Sequence, residues 1–404
     1  MEKPWVLVLG AGYWQIPLIN TVKRLGYRAL ATDRDTDAPG KFHADRFEPV
    51  DITDPERTIE LSRDVGVIGA VSDQTDLSVP TLARVCQALN LPGPTPEIAF
   101  NTTNKAQMRE LVKSAGLKMN PKFRVCGNVD VAVKAIVKDH PNAPGGVGFP
   151  CVVKPTDSQA SRGVQKILHM KELKHACEDA FRFSREGRIL VEEFLPGTEV
   201  TVEGCRYAGE THLLAISRKR HTPPPHIIAM NLDFPAPLPD KTIKEIENAY
   251  FDLVDALGIV AGSIHGELIV TNNGIYLVEM ANRGGGSGTS SHCIPAYSGV
   301  DLLEANVRYA VGDERPVNRT LNRAGVLRFM LFGVGTVESI EGINEAKAIP
   351  GVVACDLYIK PGDILQPPVM DTQRHGYIIT VADSLPDAQE IADRVERTIK
   401  VSFS

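Results

Sequence analysis

Over the first 95 residues or so, short unbroken apolar runs alternate with stretches whose apolar positions recur every three or four residues. The runs WVLVLG, RALATD and VIGAVS predict three buried strands. PLINTVKRLGY, RTIELSRDVG and LSVPTLARVCQALN carry helical spacing and predict the helices that follow them. Such alternation makes an α/β domain with a doubly wound parallel sheet, whose ligands gather at the carboxyl ends of the strands. Near Leu91 the pattern changes: LPGPTPEIAF is proline-rich and leads into the helical NKAQMRELVKSAG. A domain boundary is expected at about residue 95.

From about residue 120 to 200 both periods occur. FPCVVKPTDSQASRGVQKI reads as two strands around a polar loop, and ILVEEFLPGTEVTVEG as two strands broken at Pro196-Gly197. SIHGELIVTNNGIYLVEMANR reads as a hairpin turning at Asn272-Asn273-Gly274. After Gly312, the segments VLRFMLFG, GVVACDLYIK and GYIITVADS predict short strands, and LPDAQEIADRVERTIKVS predicts a helix.

The chain has 404 residues, enough for two or three domains with cores of their own. Its net charge of −6 is mild and mixed along the chain, which argues against nucleic acid as a partner. The seven cysteines are scattered, with no C-x-x-C pair, and read as small buried apolar residues rather than disulfides or zinc ligands. No secretory leader is recognised, and no run approaches the roughly 18 apolar residues of a membrane span. A cytoplasmic protein without a membrane partner is expected.

Gly10-Ala11-Gly12 after the first strand, with Asp33 ending the second, is most of a dinucleotide fingerprint. The third glycine position holds Gln15, and Trp14 is bulky where a pyrophosphate must touch backbone. The turn is therefore read as a tight βα connection whose helix N-terminus offers N–H groups to a small anion.

The middle of the chain carries more chemistry. Lys154 lies within a β run, and Ser158, Ser161, Arg162 and Gly163 follow in a small, hydroxyl-bearing loop. Such a loop folds over phosphates with its N–H groups while Lys154 and Arg162 neutralise charge, although it also reads as a plain hairpin tip. It is not a P-loop. In VEEFLPGTEV, Glu192 and Glu193 end a strand, and the break leaves backbone groups near Leu195 for an adenine edge and Glu199 for a ribose; a charged hinge is the other reading. Pairing about Asn272-Asn273-Gly274 sets Glu267 opposite Glu279, and two facing carboxylates with phosphate oxygens suit Mg²⁺. Arg283 and a glycine run follow, a candidate anion clamp.

Taken in order, these elements resemble the ATP-grasp ligases over roughly residues 5 to 312. The resemblance implies a Rossmann-like domain over 1–95, an ATP-grasp domain of α+β lobes over 96–312 with a mobile small lobe at about 120–195, and a small α+β subdomain over 313–404. It makes Lys105 and Lys154 nucleotide-binding lysines, SQASRGV the loop over the phosphates, Glu193 and Leu195 main-chain adenine contacts, and Glu199 the ribose acid. Glu267 and Glu279 match the paired magnesium acids. Many members carry an asparagine two residues beyond the second acid; here that residue is Ala281, and Asn282, one further on, is taken as the third candidate metal ligand. Arg283 matches the arginine near the transferred phosphate. The last region resembles that of ligases joining amino acids into dipeptides.

The implied reaction uses ATP with Mg²⁺ or Mn²⁺: a small carboxylate becomes an acyl phosphate, and an amine displaces phosphate to give an amide. A homodimer is implied by the same resemblance. Relatives that phosphorylate formate or bicarbonate share the plan, and a non-catalytic nucleotide sensor or a nicotinamide oxidoreductase are the competing classes. The segment SRKRHTPPPHIIAM, with Arg218, Lys219, Arg220, His221 and His226, either lines the substrate pocket or is a solvated connection. Ser290, Ser291 and His292 are candidates to face the acceptor.

Overall fold

A computed structural model describes residues 3–136, 146–223 and 226–404. The three expected N-terminal strands form at Trp5–Leu9, Arg28–Thr32 and Val67–Val71, all parallel. A short strand that periodicity did not reveal, Arg46–Glu48, adds a fourth at the edge. The helices Ile16–Arg24 and Pro55–Val65 connect them, and Val79–Leu89 follows the last. Asp54 caps the second by accepting from Arg57 N, and left-handed Gly66 ends it.

The small lobe is a four-stranded antiparallel sheet in the order Phe123–Cys126, Ile189–Glu193, Cys151–Pro155, Gln165–Ile167. The expected hairpin pairs Cys151 with Ile167 and Val153 with Gln165. Helices Val129–Ile136 and Met170–Phe183 contribute Ala132, Ile136, Leu173 and Ala176 to a core shared with Val153 and Val191. Cys126, Cys151 and Cys177 lie in that core, and all seven cysteines are buried and free, in agreement with the apolar reading.

The large lobe is built on an eight-stranded antiparallel sheet. Its first strands are Gly274–Ala281, Gly262–Thr271, Thr198–Tyr207, Glu210–His221 and Ala229–Phe234. Ala324–Met330, Gly376–Ala382 and Val352–Leu357 continue it, so the sheet runs across the boundary expected at residue 312. Strand alternation sorts its two faces. Val200, Val202, Ile264, Leu268 and Met280 pack beneath the helix Asp240–Ala256, against Ile246, Tyr250 and Leu253. Glu199, Glu203, His265, Glu267 and Glu279 occupy the other face. Gly197 marks the crossing between lobes: a Cβ there would lie 2.3 Å from Val270 O, so only glycine lets the two strands approach. The helix Leu385–Thr398 forms as expected, and Lys400–Phe403 after it is a strand in a second, three-stranded sheet.

Candidate active site

A cleft of about 190 Å³ lies between the lobes, and most of the expected residues line it. The helix Lys105–Ser114 starts at its edge, with Asn104 as the cap, accepting from Gln107 N. Lys105 Nζ lies 2.7 Å from Glu279 Oε2 and donates to Ser158 O at 2.8 Å. Lys154 Nζ lies 2.6 Å from Glu192 Oε2. Arg109, which the sequence reading missed, is fully buried and reaches Glu192 Oε1 at 2.8 Å and Val278 O at 2.9 Å. It stands four positions after Lys105, on the same helical face, and that spacing was the available signal.

Ser158, Ser161 and Arg162 line the cleft with Gln159 and Ala160. Gly163 sits behind it, against Ala180 and Phe183. The Ser158 hydroxyl is buried without a partner, a donor directed to no protein group. Glu193 and Leu195 line the far end, where Glu193 turns its carboxylate to Lys122 N at 2.8 Å.

Glu267 and Glu279 are direct cross-strand partners, as the hairpin predicted. Each is neutralised by a lysine: Lys219 Nζ stands 2.7 Å from Glu267 Oε1 and 3.0 Å from Glu199, and Lys105 holds Glu279. Burial disfavours the Glu267 carboxylate, but Lys219 and His265 overcome that and hold it well below the usual range. The donor set fits a hard divalent cation: two opposed carboxylates whose present counter-charges are lysine ammoniums, beside a cleft suited to phosphate oxygens. Among the described residues no cluster of three or more His, Cys, Asp or Glu forms an alternative metal cage.

His265 supports Glu267 from behind. Its Nδ1 is 2.5 Å from the buried Glu203 and its Nε2 3.4 Å from Glu267 Oε1. Burial lowers the imidazole pKa, and Glu203 more than reverses this, raising it to about 9. Glu203 also accepts from Gly285 N at 3.3 Å, so closely that a Cβ on Gly285 would lie 2.6 Å from its oxygen.

Asn282 does not reach the cleft. Glu279 and Ala281 share one face of the strand, and Asn282 follows Met280 to the other side, where its amide donates to Ala261 O and Ser263 O at 3.0 and 3.1 Å. Arg283 forms a two-point pair with Asp76, Nε to Oδ1 at 2.7 Å and Nη2 to Oδ2 at 3.2 Å. The basic segment divides by alternation: Lys219 and His221 face the cleft, whereas Arg218 and Arg220 pair with Asp233. Pro224 and Pro225 lie outside the described residues. Ser290 donates to Asp73 at 2.5 Å, and Ser291 bonds to His292 Nδ1 at 2.7 Å, so these groups brace the N-terminal domain and do not line the acceptor cavity.

A second cavity of about 420 Å³ opens from the cleft and shares Glu267 and Glu279 with it. Trp14, Leu232, Leu327, Phe329 and Tyr358 form its apolar walls, while Arg283, Arg374 and Asp371 supply charge. Arg374 stacks over Phe329, 3.4 Å from guanidinium carbon to ring centroid. It donates to Ala229 O at 3.0 Å and Ser287 Oγ at 3.1 Å, and its buried Nε has no partner.

At the N-terminal turn, Gln15 is folded back over Gly10 and donates to Asp73 O at 2.9 Å. Asp33 accepts from Ala11 N at 3.0 Å, closing the turn from within.

An ATP-grasp domain model matches residues 147–291, and a model described as L-amino acid ligase C-terminal domain 2 matches 328–404. An uncharacterized protein, y4rH, of Sinorhizobium fredii is 28% identical over 96% of this chain and 80% of its own. The formate-dependent phosphoribosylglycinamide formyltransferase of Mycobacteroides abscessus is 26% identical over 98% and 96%. In fold, the chain is similar to the L-amino acid ligase of Bacillus licheniformis, with a TM-score of 0.83, 22% identity and full coverage of both chains. It is also similar to a phosphoribosylglycinamide synthetase of Anaerococcus prevotii, with a TM-score of 0.78, 20% identity and full coverage of both. Residues 147–291 thus match an ATP-grasp domain and residues 328–404 an L-amino acid ligase C-terminal domain, and over its whole length the chain is similar in fold to ligases built on that plan.

Proposed function

We propose that the protein activates a small carboxylate with ATP and joins it to an amine, with an amino acid as one substrate. The observation that carries this reading is the second cavity: an apolar-walled space that meets the nucleotide cleft at Glu267 and Glu279 and presents the unpartnered Nε of Arg374. A guanidinium whose buried Nε has no protein partner, beside apolar walls, suits a carboxylate carrying an apolar side chain.

In this reading Lys105, Lys154 and the loop of Ser158, Ser161 and Arg162 hold the phosphates, the chain from Glu193 to Leu195 meets the adenine, and Glu199 meets the ribose. Glu267 and Glu279 would hold Mg²⁺, which would supply neutralisation of phosphate charge. Lys105 and Lys219 stand beside these acids and would add their ammonium charge toward the phosphates. A carboxylate oxygen attacks the γ-phosphorus and ADP leaves. The amine nitrogen attacks the acyl carbon, phosphate leaves with the bridging oxygen, and the nitrogen gives up its proton. Catalysis of this kind is positioning and charge stabilisation more than covalent chemistry. Arg283 lines the second cavity with Glu267 and Glu279, and in this reading it would meet the charge that develops on the acyl phosphate.

The full-length likeness to a formate-dependent transformylase favours one second reading, phosphorylation of formate. Both are tested by one screen: phosphate release with ATP and Mg²⁺ across pairs of amino acids, and with formate plus amines, each product identified by mass. Amide formation from an amino-acid pair supports the first reading. Turnover with formate alone replaces it, and ATP binding without stimulated release by any pair removes both.

A further inference from the structure

The loop that borders the cleft is fastened to the N-terminal domain by one side chain. Gln159 Oε1 accepts from Asp76 N at 2.7 Å, and Gln159 Nε2 donates to Thr75 Oγ1 at 3.2 Å. Asp76 is the residue whose carboxylate grips Arg283 at two points. One step of backbone, Thr75–Asp76, therefore touches the phosphate-side loop with its N–H and hydroxyl and the Arg283 guanidinium with its side chain.

Neighbouring residues extend the connection. Asp73 accepts from Gly284 N at 3.2 Å, and Gln74 accepts from Gly288 N at 2.8 Å, so the segment 73–76 supports both ends of the glycine run after Arg283. Left-handed backbone adjoins both partners of the contact: Gln74, directly before Thr75, has φ of 63°, and Ala160 and Ser161, directly after Gln159, have φ of 57° and 58°. Such conformations cost about 1 kcal/mol or more each in non-glycine residues and persist where surrounding contacts enforce them. Gln159 and its neighbour Ala160 line both the nucleotide cleft and the second cavity, so movement of the loop is felt in both.

We propose that Gln159 and the Thr75–Asp76 step form a clasp that couples the closed position of the phosphate-side loop to the setting of Arg283. Gln159 is a positioning residue: it acts through Asp76, not on the substrate. With the clasp made, Arg283 is held where the acyl phosphate forms only while the loop excludes water; with it broken, ATP still binds but the two events separate. The proposal rests on the reading of the cleft as an ATP site and of Arg283 as the group beside the acyl phosphate.

The test compares wild type with Gln159→Ala and Thr75→Val by two readouts. The first is ADP formed per amide formed: the clasp predicts a ratio near one for wild type, raised at least about threefold in Gln159→Ala and less in Thr75→Val. The second needs no second substrate: hydrogen exchange with a non-hydrolysable ATP analogue and Mg²⁺. In wild type, protection of 158–163 is accompanied by protection of 284–288; in Gln159→Ala the first remains and the second is lost. Unchanged product ratios, or equal protection of both loops in wild type and variant, overturns the clasp. Failure of wild type to bind the analogue overturns the ATP-site reading instead, and the clasp falls with it.

Discussion

Burial raises the Glu192 carboxyl, and the Arg109 guanidinium and Lys154 ammonium overcome it, bringing it from 4.5 down to about 2. A carboxyl depressed in the folded state contributes stability that is present above its unfolded value and is lost as pH falls through the folded one. At about 1.4 kcal/mol per unit, the shift corresponds to about 3 kcal/mol at neutral pH, lost between roughly pH 5 and 2. Glu192→Gln leaves Arg109 buried without its counter-charge and is expected to cost about 3 kcal/mol. Urea unfolding across pH 3 to 7 checks both points: the variant starts lower and falls less toward acid. Parallel curves would assign the acid loss to other groups. Glu279 carries a different kind of prediction, because it faces the cleft and a lysine it must release. Glu279→Gln keeps the shape and removes the charge. Its expected effect is a loss of at least about 100-fold in ADP formation, with weaker Mn²⁺ binding by electron paramagnetic resonance and little change in melting temperature. Retained turnover would take Glu279 out of the cation site.

The strand Glu210–His221 makes the argument at the level of an element. Its four successive basic residues look like one patch in the sequence, but alternation gives Lys219 and His221 to the cleft and Arg218 and Arg220 to Asp233. Lys219→Met is expected to lower kcat/KM for ATP about 100-fold without unfolding the protein. Arg218→Met, whose partner Asp233 keeps Arg220 nearby, is expected to cost about 1 kcal/mol and leave kcat/KM within about threefold. Steady-state kinetics beside thermal melts separates the two, and equal kinetic losses would mean that the patch acts as a whole. The same alternation marks how far the sequence could be read. Glu267 and Glu279 were legible as rough neighbours because the turn at Asn272-Asn273-Gly274 marks a hairpin, while their direct pairing depends on a register shift between Glu267 and Leu268 that the sequence does not record. Asn282 was misjudged by one residue, and in a strand one residue is the opposite face. Lys105, Lys154 and Glu199 lie on elements with clear local signals. Asp76, Gln159 and Arg374 were not found, since each acquires its role from a residue at least 83 positions away or from a cavity wall, and no local period records such pairings.

At the scale of the molecule, the N-terminal domain braces the candidate site through Asp73, Gln74 and Asp76. Its glycine turn is filled by Gln15, and its next residue back, Trp14, packs edge-to-face with Tyr13 at 5.1 Å and lies 4.8 Å from the ring of Tyr377 in the terminal subdomain. Tyr13 adds a hydrogen bond to Asp356 at 3.1 Å, so the turn that resembles a cofactor fingerprint is a joint between the first and last parts of the chain. Because Trp14 also lines the second cavity, it reports on what enters there. The chain has two tryptophans, and the other, Trp5, stacks on Arg28 at 3.8 Å, a contact that phenylalanine preserves in kind. Trp5→Phe therefore leaves Trp14 as a single fluorophore. Its emission is expected to change saturably when the amino acid identified by the amide-forming screen is added, because a side chain seated against the indole displaces water from it. NADH is expected to give no saturable change, since Gln15 occupies the space a pyrophosphate needs. The opposite pair of results, a response to NADH and none to the amino acid, would return the glycine turn to its dinucleotide reading and remove the cavity from the ligase mechanism.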